Sequence, residues 1–347
     1  MNAVERAAAL RSEANAAIPT ALLALLRSVK RIWVVPHERP DGDALGAALG
    51  LQGILAQRGI DVAVLCSEPP PKVYEVIPSL GRVLLSAPEW TPDAVALVDC
   101  GDAKRAGSVG MLIQGLPNSV PRITIDHHVS NTSASPLEWI DAKAAATCEM
   151  VALIGVALEA DLAVDDGALA TTLATGLIMD TATFQHNNTT PRTLQVAALL
   201  LAAGAPISEI SRRLYRAKPL TQVQLHARVL ERVEQADRGK TVWAAMLRSD
   251  LAASGATVEE SEGIVDTLAQ INEADVALFF KEESGGETRV SIRTKESGLD
   301  ATAIASAFSG GGHARAAGAT IPRSLDAAVA AVLHCVASLR AERGEAS

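Results

Sequence analysis

Short aliphatic and β-branched runs recur along the first part of the chain, each followed by a polar or glycine-containing turn and then a longer apolar stretch. Ile32-Trp33-Val34-Val35 reads as a buried strand that enters the loop Pro36-His37-Glu38-Arg39-Pro40-Asp41-Gly42-Asp43. Residues 44–57 then read as a helix that Asp43 can begin and Gly59 stops. Residues 62–66 give the next strand, followed by the stiff turn Pro69-Pro70-Pro71, and 82–85 a weak one. Ala94–Val98 is a strong strand ending at Asp99-Cys100-Gly101-Asp102, and Ile123-Thr124-Ile125 is another ending at Asp126-His127-His128. Residues 3–30 ahead of them look helical, as do 144–158, 167–179 and 191–203 behind them; the helix over 167–179 delivers Asp180. Residues 207–230 are helical with a break near Pro219.

Strands alternating with helices imply parallel crossovers and a doubly wound sheet. Such sheets bind ligands outside the carboxyl ends of their strands. His37, Asp41, Asp43, Asp99, Asp126, His127 and His128 all fall just past a strand end, so they are expected to converge on one edge.

The pattern changes beyond about residue 232. Residues 241–247, 276–281 and Thr288–Thr294 read as strands, the last two alternating and joined by the hairpin sequence Glu282-Glu283-Ser284-Gly285-Gly286-Glu287. Residues 258–270 and 301–308 read as helices, 325–343 as a closing helix, and a glycine run, Gly310-Gly311-Gly312-His313, lies between. The expected organisation is a catalytic domain over 1–205, a helical connector over 206–231 and a smaller α/β domain over 232–347, with the active site in a cleft between the two domains.

A chain of 347 residues is long for one core, which agrees with two domains. Hydrophobic residues make up 48% but aromatics only 3%, so Ala, Val, Leu and Ile must fill the cores, and no long stacking platform for a single strand is available. The net charge of −9 argues against tracking long duplex nucleic acid. It leaves room for a short anionic substrate held by a local cluster of arginine and metal. The four cysteines, Cys66, Cys100, Cys148 and Cys335, show no CxxC spacing and read as buried thiols in a reducing cytoplasm. Charged residues interrupt the N-terminal stretch, so no signal peptide is expected, and the apolar runs are too short to span a bilayer.

Three ionisable side chains closing a buried strand are costly to desolvate, and a metal ion is the usual compensation for Asp and His together. The strand ends offer His37, Asp41, Asp43, Asp99 and His127, with Asp180 from a helix. Carboxylate mixed with imidazole suits Mn²⁺ better than Mg²⁺. Two such ions roughly 3.5–4 Å apart can activate water and clamp a phosphoryl group in line, which points to hydrolysis at phosphorus. Plain structural roles compete with each residue taken singly. Asp43 can be a helix N-cap, Asp99 a strand terminator, and Asp102, Asp141, Asp165 and Asp166 caps or solvated loop residues. His226 and His334 read as ordinary helix histidines and His186 is left open. The shared position at strand ends outweighs these readings.

These residues resemble the motifs of the DHH/DHHA1 phosphoesterase superfamily. His37-x-x-x-Asp41-x-Asp43 is similar to its first motif, Asp99 to the second, Asp126-His127-His128 to the third and Asp180 to the fourth. Gly310-Gly311-Gly312-His313 with Ala316-Ala317-Gly318 resembles the signature of the C-terminal DHHA1 domain. In size and layout the chain looks like the small bacterial oligoribonucleases (nanoRNases) that also dephosphorylate 3′-phosphoadenosine 5′-phosphate (pAp). The resemblance implies two Mn²⁺ ions, with Mg²⁺ or Co²⁺ as substitutes. One would sit on His37, Asp41 and Asp99, the other on Asp43, Asp99, His127 and Asp180, with Asp99 bridging. It implies that His128 contacts the scissile phosphate or leaving group and that Asp126 orients a histidine, and it makes Arg293, Gly310, Gly311, Gly312, His313 and Arg315 the substrate anchor. Short oligoribonucleotides and pAp are the implied substrates; cyclic di-AMP or linear pApA, and a nucleotide sensor without turnover, are the rival readings. A homodimer is compatible with the resemblance. Three positions depart from the family pattern: Ala182 and Ala47 stand where Gly and Ser are common, and Ser309 replaces the first of four glycines.

Overall fold

The computed structural model describes residues 3–128, 135–216 and 218–344. The chain divides into two compact units, Met1–Ala217 and Lys218–Ser347. The first unit runs α1 (Ala3–Ala17), α2 (Thr20–Ser28), β1 (Arg31–Val35), α3 (Gly42–Ala56), β2 (Asp61–Leu65), β3 (Val83–Leu84), β4 (Ala94–Val98), α4 (Gly107–Gln114), β5 (Arg122–Asp126), β6 (Glu138–Ile140), α5 (Thr147–Ala157), α6 (Val164–Asp180), α7 (Pro191–Ala202) and α8 (Ile207–Ser211).

Its sheet has the order β3-β2-β1-β4-β5-β6, and every pairing is parallel. The doubly wound expectation holds. Alternation along β1 and β4 divides side chains between two cores. Ile32 and Val34, with Ala94, Ala96 and Val98, join the helices α2, α3, α5, α6 and α7 on one face, while Trp33, Val35, Val95 and Leu97 meet α4 on the other. Burial on both faces explains the near-continuous apolar runs of these strands. β1 and β4 are neighbours although β2 and β3 intervene in sequence, so the order reverses between them. The loops after β1 and β4 therefore open at the topological switch point, where this architecture places ligands.

Several boundaries differ from the sequence expectations. The helix expected over 3–30 is two, broken at Ile18-Pro19, because proline cannot donate to the helical ladder. The helix expected from 144 begins at Thr147, with Ala144 and Ala145 in a bend and Ala146 extended ahead of it. The strand β6 was not anticipated; it is only three residues long.

The second unit runs α9 (Leu220–Leu230), β7 (Glu234–Ala236), β8 (Thr241–Met246), α10 (Arg248–Ser254), α11 (Ile264–Ala269), β9 (Val276–Glu282), β10 (Thr288–Thr294), α12 (Ala301–Ser306), β11 (Gly311–His313), β12 (Ala316–Ile321) and α13 (Leu325–Glu342). Its sheet has the order β11-β12-β10-β9-β8-β7, parallel only between β8 and β9. The expected β9–β10 hairpin is present, with Gly285 and Gly286 at positive φ in its turn. The single helix expected over 258–270 is interrupted at Gly263, which adopts φ 86.

Val276, Leu278 and Phe280 of β9 pack with Val290 and Ile292 of β10 against α12 and α13. Ala277 and Phe279 pack on the opposite face with residues of α9 and α11. That second helical layer draws on β8 and β9. Arg289, Ser291 and Arg293 of β10 alternate with Val290 and Ile292 and so lie on the second face, beyond this core.

Candidate active site

Each cluster residue of the first unit is delivered by the end of an element. Asp41 caps α3: its Oδ1 accepts from the N–H groups of Asp43 and Ala44, both at 3.0 Å. Asp43, which read as the cap, lies instead inside the first turn and is fully buried. Asp99 follows Val98 directly, and its N–H extends the ladder to the Ile125 carbonyl at 2.9 Å. Its backbone is left-handed at φ 54, a conformation a non-glycine residue holds only when its surroundings fix it. Asp126 ends β5, His127 and His128 follow, and Asp180 ends α6.

These ends meet. Nε2 of His127 lies 3.1 Å from Asp180 Oδ2, 3.6 Å from Asp99 Oδ1 and 3.9 Å from Asp43 Oδ2. Nε2 of His37 lies 3.6 Å from Asp99 Oδ2, and Nδ1 of His128 lies 3.5 Å from Asp99 Oδ1. Among the described residues, three donor groups are compact enough to hold a cation: His37, Asp41 and Asp99; Asp43, His127 and Asp180; and Asp99, His127 and His128. Asp126 stands behind them. Its Oδ1 accepts from the His128 backbone N–H at 3.0 Å and pairs with His128 Nδ1 at 2.7 Å.

The electrostatics are those of unneutralised acids packed together. Burial, reinforced by the charges of Asp180 and Asp99, holds the Asp43 carboxyl well above the usual range. Burial and then the charge of Asp41 push Asp99 up to about 6. Burial also raises Asp180, against the bond from His127. Burial lowers His127, but the bond to Asp180 and the charges of Asp43, Asp180 and Asp99 outweigh it and carry the imidazole up to about 10. Asp126 raises His128; Asp126 itself resists burial and is lowered by the bonds from His128. Among the described residues, the ion pairs to Asp43, Asp99 and Asp180 come from histidine alone. Mixed carboxylate and imidazole donors with a surplus of negative charge fit divalent cations.

Other predicted residues have plainer places. His186 and Asn188 bond the Asp180 carbonyl at 3.1 Å each. His226 is buried against the Glu260 carbonyl at 3.0 Å. Asp141, read as solvated or capping, pairs with Arg192 at 2.8 Å. Cys66, Cys100 and Cys148 are buried, whereas Cys335 is half-buried.

The turn after Asp180 is strained. Ala182, Thr183 and Phe184 are all left-handed, at φ 46, 60 and 64. Alanine in this conformation costs roughly 1–2 kcal/mol. Replacing Ala182 with glycine is expected to raise the unfolding free energy by about 0.5–1 kcal/mol, after the added flexibility of the unfolded chain is deducted. Urea titration measures it, and a lower midpoint would contradict it. Phe184 packs on the edge of the apolar core.

In the second unit, Arg289, Ser291 and Arg293 with Phe308, Ser309, Gly310, Gly311 and Gly312 line a groove of about 600 Å³ that continues along β12. The glycine run forms the edge strand β11 on β12, Gly311 opposite Gly318. A Cβ on Gly310 would fall 2.6 Å from the Ala319 Cβ, so only glycine lets the chain lie this close. Nε of Arg293 donates to Asp266 Oδ1 at 2.9 Å. Nη1 of Arg315 donates to the carbonyls of Lys295 at 2.8 Å and Leu299 at 3.3 Å. His313 is exposed and is not part of the groove lining. Arg289 escaped the sequence reading, although its alternation with Ser291 and Arg293 was a usable signal.

Residues 31–179 match the model of the DHH family N-terminal domain, and residues 239–338 match the DHHA1 domain. A bifunctional oligoribonuclease and PAP phosphatase, NrnA, of Thermus thermophilus is 33% identical over 88% of this chain and 89% of its own length. The chain belongs to the DHH family. It is a hydrolase acting on phosphoester bonds, with the family's DHH domain followed by a DHHA1 domain. NrnA of Bacillus subtilis is 27% identical over 82% of this chain and 87% of its own. The fold is shared with an exopolyphosphatase-related protein from Bacteroides fragilis at a TM-score of 0.83, with 20% identity over 94% of this chain and 98% of that one. Among the described residues no single helix is long and apolar enough to cross a membrane.

Proposed function

We propose that this DHH phosphoesterase hydrolyses short oligoribonucleotides to mononucleotides and removes the 3′-phosphate of pAp, with two Mn²⁺ ions. The observation that carries the reading is the pair of donor groups, His37–Asp41–Asp99 and Asp43–His127–Asp180, meeting at one sheet edge. The names of the relatives, which cover most of their own length, support the substrate class. His37, Asp41 and Asp99 would hold one ion, and Asp43, Asp99, His127 and Asp180 the other. When bound, such a pair activates water and neutralises charge on the phosphoryl group. His128, tied through Nδ1 to Asp126, keeps Nε2 for the substrate, and its raised pKa favours the protonated ring that a departing oxygen requires. Arg293, Arg289 and the backbone of Gly310, Gly311 and Gly312 would hold a substrate phosphate. In this reading Arg315 braces the 295–299 loop. The cysteines, three buried and one half-buried, fit a reducing compartment such as the cytoplasm.

The test is a substrate panel with Mn²⁺ scored by product chromatography: pAp, pApA, a pentanucleotide, a long single strand, cyclic di-AMP and bis-p-nitrophenyl phosphate. pAp, pApA and the pentanucleotide are expected to be consumed much faster per molecule than the long strand. Faster turnover of cyclic di-AMP than of pApA would replace the reading with a cyclic-dinucleotide phosphodiesterase. In the same panel, Arg293→Ala should raise KM for the pentanucleotide by roughly ten- to a hundredfold. It should leave the small diester nearly unchanged. Equal loss on both substrates would place Arg293 at the reacting phosphorus.

A further inference from the structure

We infer that Glu149 and Arg192 are positioning residues for the acidic centre: they lock the 144–148 backbone, which fixes Asp43, Asp99 and His127. This rests on the reading of the centre as a cation site.

The 144–148 segment touches three of the cluster residues. The Ala144 carbonyl pairs with His127 Nδ1 at 3.3 Å. A carbonyl only accepts, so Nδ1 carries a proton and Nε2 faces the acids. The N–H groups of Thr147 and Cys148 donate to the two oxygens of Asp43, at 2.6 and 2.9 Å. The Thr147 hydroxyl donates to Asp99 Oδ1 at 2.9 Å. Both Asp43 oxygens are thereby held in one plane, and Asp99 is held on one side.

The segment cannot anchor itself, because Ala144, Ala145 and Ala146 offer no polar side chain. Its anchors come from α5 and α7. Glu149 is fully buried; Oε2 accepts from Ala145 N–H at 3.2 Å and from the Thr193 hydroxyl at 2.8 Å, and Oε1 accepts from Arg192 Nε at 2.5 Å. Arg192 Nη2 donates to Asp141 Oδ2 at 2.8 Å, clamping the start of the segment. Asn188 Nδ2 adds a bond to the Ala145 carbonyl at 3.0 Å and another to that of Asp180. For stability alone, a packed apolar pair commonly serves as well as a buried ion pair. It could not hold the Ala145 N–H. Glu149 is also the lone acidic or basic residue in the apolar stretch 144–158, which marks it as needing a partner.

The experiment uses Glu149→Gln and Arg192→Lys in the full chain. Free Mn²⁺ is counted by electron paramagnetic resonance during titration of the metal-stripped protein, and thermal unfolding is followed in EDTA. Outer groups that orient ligands typically contribute ten- to a hundredfold to metal affinity. Glu149→Gln should weaken Mn²⁺ binding by about that factor, with kcat partly restored by excess Mn²⁺. Arg192→Lys keeps a cation beside Glu149 but cannot also reach Asp141, so it should fold and show a smaller loss in the same direction. A purely structural role would lower the melting temperature while the folded protein bound Mn²⁺ as the wild type does; that result, in whichever variant folds, overturns the inference. Wild-type protein that binds no Mn²⁺ would overturn the cation-site reading instead.

Discussion

Asp99→Asn is expected to abolish turnover, by about a thousandfold or more, and at the same time to stabilise the metal-free protein. Asp99 belongs to the His37–Asp41–Asp99 group and lies 3.6 Å from His127 of the other, so on the reading in which it bridges the ions its loss disables both proposed sites at once. Several kcal/mol of transition-state stabilisation go with it. The stability change has the opposite sign. Asp99 is buried beside other acids, and its folded-state pKa of about 6 lies above its ordinary value of 3.8. A carboxyl raised in this way favours the fold while protonated, and that contribution is lost as pH rises from about 4 through 6. At neutral pH the ionised group therefore opposes folding by on the order of 3 kcal/mol in the absence of cations. Asparagine keeps the shape and the acceptor for the Thr147 hydroxyl without the charge. In EDTA, wild type should lose stability between about pH 4 and pH 6 and the variant should lose less. Near-normal kcat with two retained Mn²⁺ ions would refute the assignment.

Gly176→Ala is expected to lower kcat by about a hundredfold and the unfolding free energy by about 2–3 kcal/mol. Gly176 lies on α6 against α3. A Cβ there would fall 2.6 Å from Asp43 Oδ1 and 2.8 Å from its Cα, and closer still to Cys148 Sγ. Nothing in that list is the far end of a flexible chain, so α6 must shift. Asp180 lies one turn further on and shifts with it. Urea titration and initial rates measure the two effects. A variant normal in both would show that the helices can part without disturbing the acids.

The acidic centre was legible because a parallel sheet writes it plainly: each buried strand is a continuous apolar run, and the first polar residue after it is at the ligand edge. His37, Asp99 and His127 were read this way, and Asp180 from the end of the helix that delivers it. The supporting shell was harder to read. Thr147 and Cys148 act through the start of α5, and the sequence reading began that helix three residues early because alanines have high helix propensity. Asp41 and Asp43 both suit a cap, and only the packed structure distinguishes Asp41 as the acceptor from Asp43 as the buried acid. β7, β11 and β12 were missed for another reason. Two are short, and the first four residues of β12 are Ala and Gly, which carry little strand preference of their own.

The strand order of the first unit also governs how the centre comes into being. Its side chains arrive from the ends of β1, β4 and β5 and from α3 and α6, so the full set is together only in the completed unit. Pairing of β1 with β4 is non-local and closes a long loop, the kind of contact that slows folding. On the cation-binding reading, the ions attach to the finished unit alone and favour it by mass action, by about 2.7 kcal/mol at a hundredfold excess over Kd. The second unit has separate cores and none of these donors. Cation supply would then act on the melting of the first unit, retaining completed first units and leaving unfinished ones open to proteolysis.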